Sequence, residues 1–204
     1  LKLFISSLTE YALVLTTNKS SVPACIVALL IGLPVSYYLR PLVFVVSVLM
    51  GVALPLSTIF IKFMNDGGND LLISLYIRLV DTWPDYIYLI TSLKADLVGL
   101  GFGAVGAAFS AFPITTLSGN GLITPAVSDN TALYLWGMFG LLGIFLYLMQ
   151  LPLMFLLNKV QDVYIKSLME ISLFICICSW TTDMLESAIS SFFVGLSIYV
   201  AFVI

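Results

Sequence analysis

Apolar residues run along this chain in six blocks, the first of them short, and mostly short polar breaks separate them. Three blocks lie in 1–61: Leu3–Leu15, Val22–Leu39 and Leu42–Ile61. Three more lie in 130–204: Thr131–Leu157, Ser167–Cys178 and Ser187–Ile204. A span needs about 20 apolar residues, so the pattern predicts an all-α polytopic bundle of about six transmembrane helices. Pro23 falls in a first helical turn, where its missing N–H is harmless. Arg40-Pro41 makes a short turn, Pro55 lies near the end of the third block, and Pro152 is expected to kink or end the fourth.

Residues 62–129 leave the pattern and form a long loop. Within it Leu71–Val80 and Pro84–Val98 read as helices, with Pro84 at a plausible first helical position. Both are too apolar to be fully solvated. They are expected along the membrane interface or packed on the bundle, with Trp83, Tyr86 and Tyr88 at headgroup level. A Gly/Ser/Thr/Pro-rich stretch follows from Gly99 to Pro125.

Composition strengthens this reading. Hydrophobic residues make up 61% of the chain and charged residues 9%, with a mean hydropathy of +1.12. A soluble domain carries about 25% charged residues, so lipid is the expected solvent. Arg40, Lys159 and Lys166 fall in the short loops of one side, and the positive-inside rule puts them in the cytoplasm. The long loop, the Lys19 hinge and the Asp183–Glu186 turn are then external. The ends carry no initiator Met and no polar tail, and the chain is expected to be a fragment of a longer membrane protein.

The candidate chemistry is sparse. There is no histidine, which removes the commonest general base and makes a zinc or haem site with Cys25, Cys176 and Cys178 an unattractive reading. Those cysteines read as buried thiols. Gly101-Phe102-Gly103-Ala104-Val105-Gly106 matches the dinucleotide fingerprint, but it lacks the preceding strand and the acid about 20 residues on. A turn allowing close backbone approach is the better reading. Arg78 is either a snorkelling side chain or an anion clamp, since a guanidinium meets phosphate oxygens in bidentate fashion. Lys19 is an interfacial lysine on the same side. Asn18-Lys19-Ser20 also fits a glycosylation sequon, too close to the membrane to credit. Asp129 is a helix cap, which makes a poor base, or a general base at the membrane edge; Ser128 or Asn130 could supply the cap in its place.

In order along the chain, three stretches resemble the O-antigen ligase/polymerase superfamily of bacterial polysaccharide assembly. Leu15-Thr16-Thr17-Asn18-Lys19-Ser20 looks like its L-T-x-S-R hinge, with lysine where arginine is usual. Arg78-Leu79-x-x-Thr82-Trp83 and Leu97-Val98-Gly99-Leu100-Gly101-Phe102-Gly103 are similar to its arginine–tryptophan and glycine-rich loop pattern. Asp129-Asn130, Tyr134-Leu135 and Gly137, Gly140 and Gly143 look like its H/D-N, Y-L and G-x-x-G sequence. The likeness runs from about Leu1 to Leu157.

The resemblance implies a metal-independent glycosyltransferase without cofactor. It would polymerise undecaprenyl-diphosphate-linked oligosaccharides at the outer face of the bacterial inner membrane. Arg78 and Lys19 would bind the donor diphosphate, and Asp129 would help deprotonate the acceptor hydroxyl. Expected partners are the lipid-linked oligosaccharide, membrane lipids and other polysaccharide-assembly proteins, with no nucleic acid. Aspartate at position 129, where ligases of the superfamily have histidine, favours a polymerase over an O-antigen ligase. A lipid-linked-sugar flippase or transporter is the alternative from another class.

Overall fold

A computed structural model of the chain describes residues 26, 27, 30, 38–57, 75–101, 105 and 128–203. The described residues are mostly helical and contain no strand, so the all-α expectation holds. The first span, the Lys19 hinge, Cys25 and most of the second span lie outside them.

Helix α1 spans Arg40–Leu56. Pro41 in its first turn is pre-set for helix and leaves no bond unmade. Near the other end Pro55 has no N–H for the carbonyl of Gly51 four residues earlier. That carbonyl instead accepts from the Asn130 side chain, 3.0 Å away. The loop helix is described from 75 and runs as a π-helical turn over Arg78–Thr82 into α2, Trp83–Ser92. Pro84 accounts for the wide turn. Its ring crowds the carbonyl four residues back, and the chain takes in one more residue, with Trp83 N–H reaching Arg78 O. The helix stops at Ser92, short of the predicted Val98, because Lys94 turns left-handed at φ 55°.

The apolar block 131–157 does not make one long span. Helix α3, Thr131–Phe139, ends at Gly140, and α4, Leu141–Leu148, folds back along it. Gly140 holds φ 60° and ψ −140°, a conformation open essentially to glycine alone. The two helices touch at Gly143, where a Cβ would run into the Leu135 carbonyl. Thr131 N–H and the Tyr147 hydroxyl, at the open ends of this hairpin, both reach Ser179. Pro152 only turns the chain locally at Met149 before α5, Gln150–Lys159. Leu141–Lys159 is the one helical run among the described residues long and apolar enough to cross a membrane. Helix α6, Val163–Cys178, is capped by Asp162, whose carboxylate accepts from Tyr164 and Ile165 N–H. A turn containing a 3-10 helix, Met184–Glu186, leads to α7, Ala188–Val203.

Two cores result. The larger joins α1, α4–α5 and α6 through Phe44, Val48, Tyr147, Met154, Met169 and Cys176, all completely buried. Phe44 and Val48 stand one turn apart, as do Met169 and Leu173, so each helix presents one stripe. The smaller core is the stripe Leu79, Trp83, Tyr86 and Ile90, packed on Leu133 and Met138 of α3. Trp83 and Tyr86 are therefore inside the protein and not at headgroup level, while Tyr88 is exposed. Arg40 at the start of α1 donates to Asn158 at the end of α5. The same end of the bundle therefore carries Lys159 and the start of α6.

Candidate functional site

The opposite end gathers the polar side chains. Asn130 caps α3, accepting from Leu133 N–H at 2.9 Å. Its amide nitrogen donates to Gly51 O and Trp180 O, each at 3.0 Å. One fully buried amide thus ties α1, α3 and the end of α6 together. Trp180 Nε1 reinforces the junction by donating to Ser47 O at 2.7 Å. Of the candidates for the cap, the residue is Asn130, and Asp129 is left for other work.

Asp129 sits just outside, at φ 42°, a left-handed conformation that aspartate tolerates better than most residues. Its Oδ2 receives Arg78 Nε at 3.2 Å. Both side chains are partly exposed, 24% for Arg78 and 37% for Asp129, so the pair faces outward from the buried cap. The π-helical turn supplies Arg78 and the loop before α3 supplies Asp129. The structure therefore brings together two of the three residues singled out in the sequence. Lys19, the third, lies outside the described residues.

Behind Asp129 is a carboxylate that the sequence did not single out. Asp183, in the turn after α6, accepts from Ser128 Oγ through both oxygens, at 2.7 and 2.6 Å, and from Asn130 N–H at 3.1 Å. Burial pushes its carboxyl up to about 7. The Ser128 bond opposes this, Glu186 and Asp129 add to the rise, and the Asn130 bond again lowers it. Thr131 Oγ1 links the same turn to α3, donating to Thr182 O and accepting from Met184 N–H. The available signal was position, since Asp183 lies in a polar break on the same side as the long loop. Its pairing with Ser128, 55 residues away, leaves no periodic trace.

Tyr86 Oη and Trp83 Nε1 are buried with no hydrogen-bond partner among the described residues. The Tyr86 phenol is pushed up by burial first, and then by the charges of Asp183 and Glu186 and the hydroxyl of Tyr134. Arg78 thus meets Asp129, and Asp129 lies within electrostatic reach of Asp183, which in turn feels Glu186. No group of three or more His, Cys, Asp or Glu among the described residues converges as a metal site. Cys176 and Cys178 are buried.

The glycine-rich segment is a backbone clasp. Leu100 and Gly101 N–H donate to Gly137 O and Met138 O at 2.7 and 3.1 Å, and Leu141 N–H donates to Leu97 O at 3.2 Å. Gly99 lies directly on the Met138 backbone. Two stretches that carry the resemblance, Leu97–Gly101 and Gly137–Gly143, therefore meet. The segment before Gly101 is a turn and not a strand, and Gly103 and Gly106 lie outside the described residues. Compared with protein-family models, with curated proteins and with solved structures, the chain finds no match.

Proposed function

We propose that the chain is a membrane glycosyltransferase that polymerises lipid-diphosphate-linked oligosaccharides, working at the end of the bundle that carries Arg78 and Asp129. The pairing of those two side chains at 3.2 Å, from positions 51 residues apart, is the observation that carries the reading. Support for a lipid surrounding comes from the exterior, where Leu42, Val46, Leu49, Leu142, Phe145, Phe192 and Phe202 are exposed on α1, α4 and α7. In this reading α1, α4–α5, α6 and α7 are crossing helices of the six-span bundle.

The chemistry asks for two things. The oxygen of an acceptor sugar attacks the anomeric carbon of the donor as the bond to the lipid diphosphate breaks. The acceptor proton must be taken up and the charge growing on the diphosphate stabilised. Donor oxygens compete with Asp129 for Arg78, and a carboxylate released from its ion pair accepts the hydroxyl proton. Fixed cationic donors at the leaving group lower the barrier electrostatically. The one described cation of the pair is already matched by Asp129, so an anionic donor needs more positive charge, and Lys19 is the candidate to supply it. Arg78→Ala and Asp129→Ala in the full chain are expected to shorten or abolish the polysaccharide ladder on a gel. A normal ladder from both variants sinks the assignment.

One observation favours a flippase or transporter instead: the helix break at Gly140, since transporters place broken helices at their binding sites. The carbonyls at this break are occupied by Leu100 and Gly101 N–H, which leaves them less to offer a transported ion. Transfer by purified protein in detergent, with no membrane to cross, separates the two readings.

A further inference from the structure

Asp129 would not keep its position by itself. A left-handed aspartate on the outside of a helix start has easier conformations available, and its bond to Arg78 is partly exposed, the kind of pair that solvent screens and that holds little by itself. Its two neighbours are different. Ser128 and Asn130 are completely buried, and both donate to one carboxylate. When the residues on either side of a position are tied to the same point, the residue between them must bow outward.

We propose that Asp183 is a positioning residue: by holding Ser128 Oγ and Asn130 N–H it fixes Asp129 in its outward, left-handed conformation opposite Arg78. The hold is a matter of geometry alone. Only what Asp129 then does rests on the transferase reading.

An asparagine at 183 can keep the arrangement, its Oδ1 accepting from Asn130 N–H and its Nδ2 donating to Ser128 Oγ. An alanine cannot. The groups facing the Asp183 carboxyl are Glu186 from its own turn, Asp129 from the loop before α3, Tyr134 on α3 and Tyr86 on α2. These groups persist in both variants, so the two substitutions differ in the hold and not in the surrounding field.

The test measures unfolding midpoints of the full chain in detergent. Arg78→Ala, Asp129→Ala and the double variant are made in the wild-type, Asp183→Asn and Asp183→Ala backgrounds. While the ion pair stands, the two losses are non-additive. Non-additivity is expected in wild type and in Asp183→Asn, and simple addition in Asp183→Ala. Ser128→Ala, which removes one tether, is expected to weaken the non-additivity and serves if Asp183→Ala does not fold. Full non-additivity surviving in Asp183→Ala, or in Ser128→Ala where that stands in, overturns the proposal. Glycosyl transfer is assayed in parallel. Absent transfer by the wild-type chain, with the expected loss of coupling in Asp183→Ala, refutes the transferase alone; transfer with undisturbed coupling refutes the positioning role alone.

Discussion

Asn130→Ala removes three hydrogen bonds from a completely buried side chain. Loss of the cap on Leu133 N–H costs about 1 kcal/mol. The carbonyl of Gly51 suffers more, because Pro55 has already removed its helical donor, and a buried carbonyl left unsatisfied costs about 1–3 kcal/mol. Trp180 O, in the turn just past α6, adds a smaller amount. The sum is about 3–5 kcal/mol, large for a single polar truncation. The cause can be isolated. Pro55→Ala restores an N–H at position 55 that can reach Gly51 O, so in that background Asn130→Ala should cost about 1–2 kcal/mol less. Denaturant unfolding in a non-ionic micelle, for wild type, both single variants and the double, closes the cycle. An Asn130→Ala cost below about 0.5 kcal/mol, or an equal cost with and without Pro55, would refute the view that Asn130 replaces the bond Pro55 cannot make.

Two further outcomes are expected. The Asp183 carboxyl is raised to about 7 by burial, against an ordinary aspartate value of 3.8. Between those values the folded protein keeps a proton that the unfolded chain has released. Stability therefore falls as pH rises from about 4 to about 7, by up to about 1.4 kcal/mol per unit, and levels off above. Asp183→Asn should lack this component, and parallel unfolding-versus-pH profiles for wild type and variant would contradict it. Gly140→Ala puts a Cβ into a conformation reserved for glycine, and a loss of about 1–3 kcal/mol in the same unfolding assay is expected. An unchanged midpoint would mean that the α3–α4 hairpin does not depend on that backbone.

The helical class was legible because apolar blocks of this length leave few alternatives, and the Asn130 cap was among the choices a capping rule allows. Arg78 and Asp129 were legible as isolated charges in an apolar chain. The hairpin was hidden because hydropathy counts Thr131–Leu157 as one block, and only Gly140 and Gly143, read as backbone geometry, reveal the fold-back. Burial of Trp83 and Tyr86 was missed for a related reason. An aromatic beside a polar break looks interfacial until the partner that covers it, for Tyr86 the residue Gly137 with its missing side chain, is known to lie opposite. Asp183 was invisible because its role is defined by two residues more than fifty positions away.

The backbone clasp bears on how molecules reach this site. Leu97–Gly101 is stitched to both sides of the Gly140 bend by three peptide bonds' worth of donors and acceptors, and α2, with Arg78 just before it, is rooted on α3 through Trp83 and Tyr86. Swinging this segment aside would strip those amides and uncover two large aromatic rings at once. The stretch that carries Arg78 therefore behaves as masonry. On the transferase reading, a donor reaches the Arg78–Asp129 pair along the flank where both side chains already meet solvent.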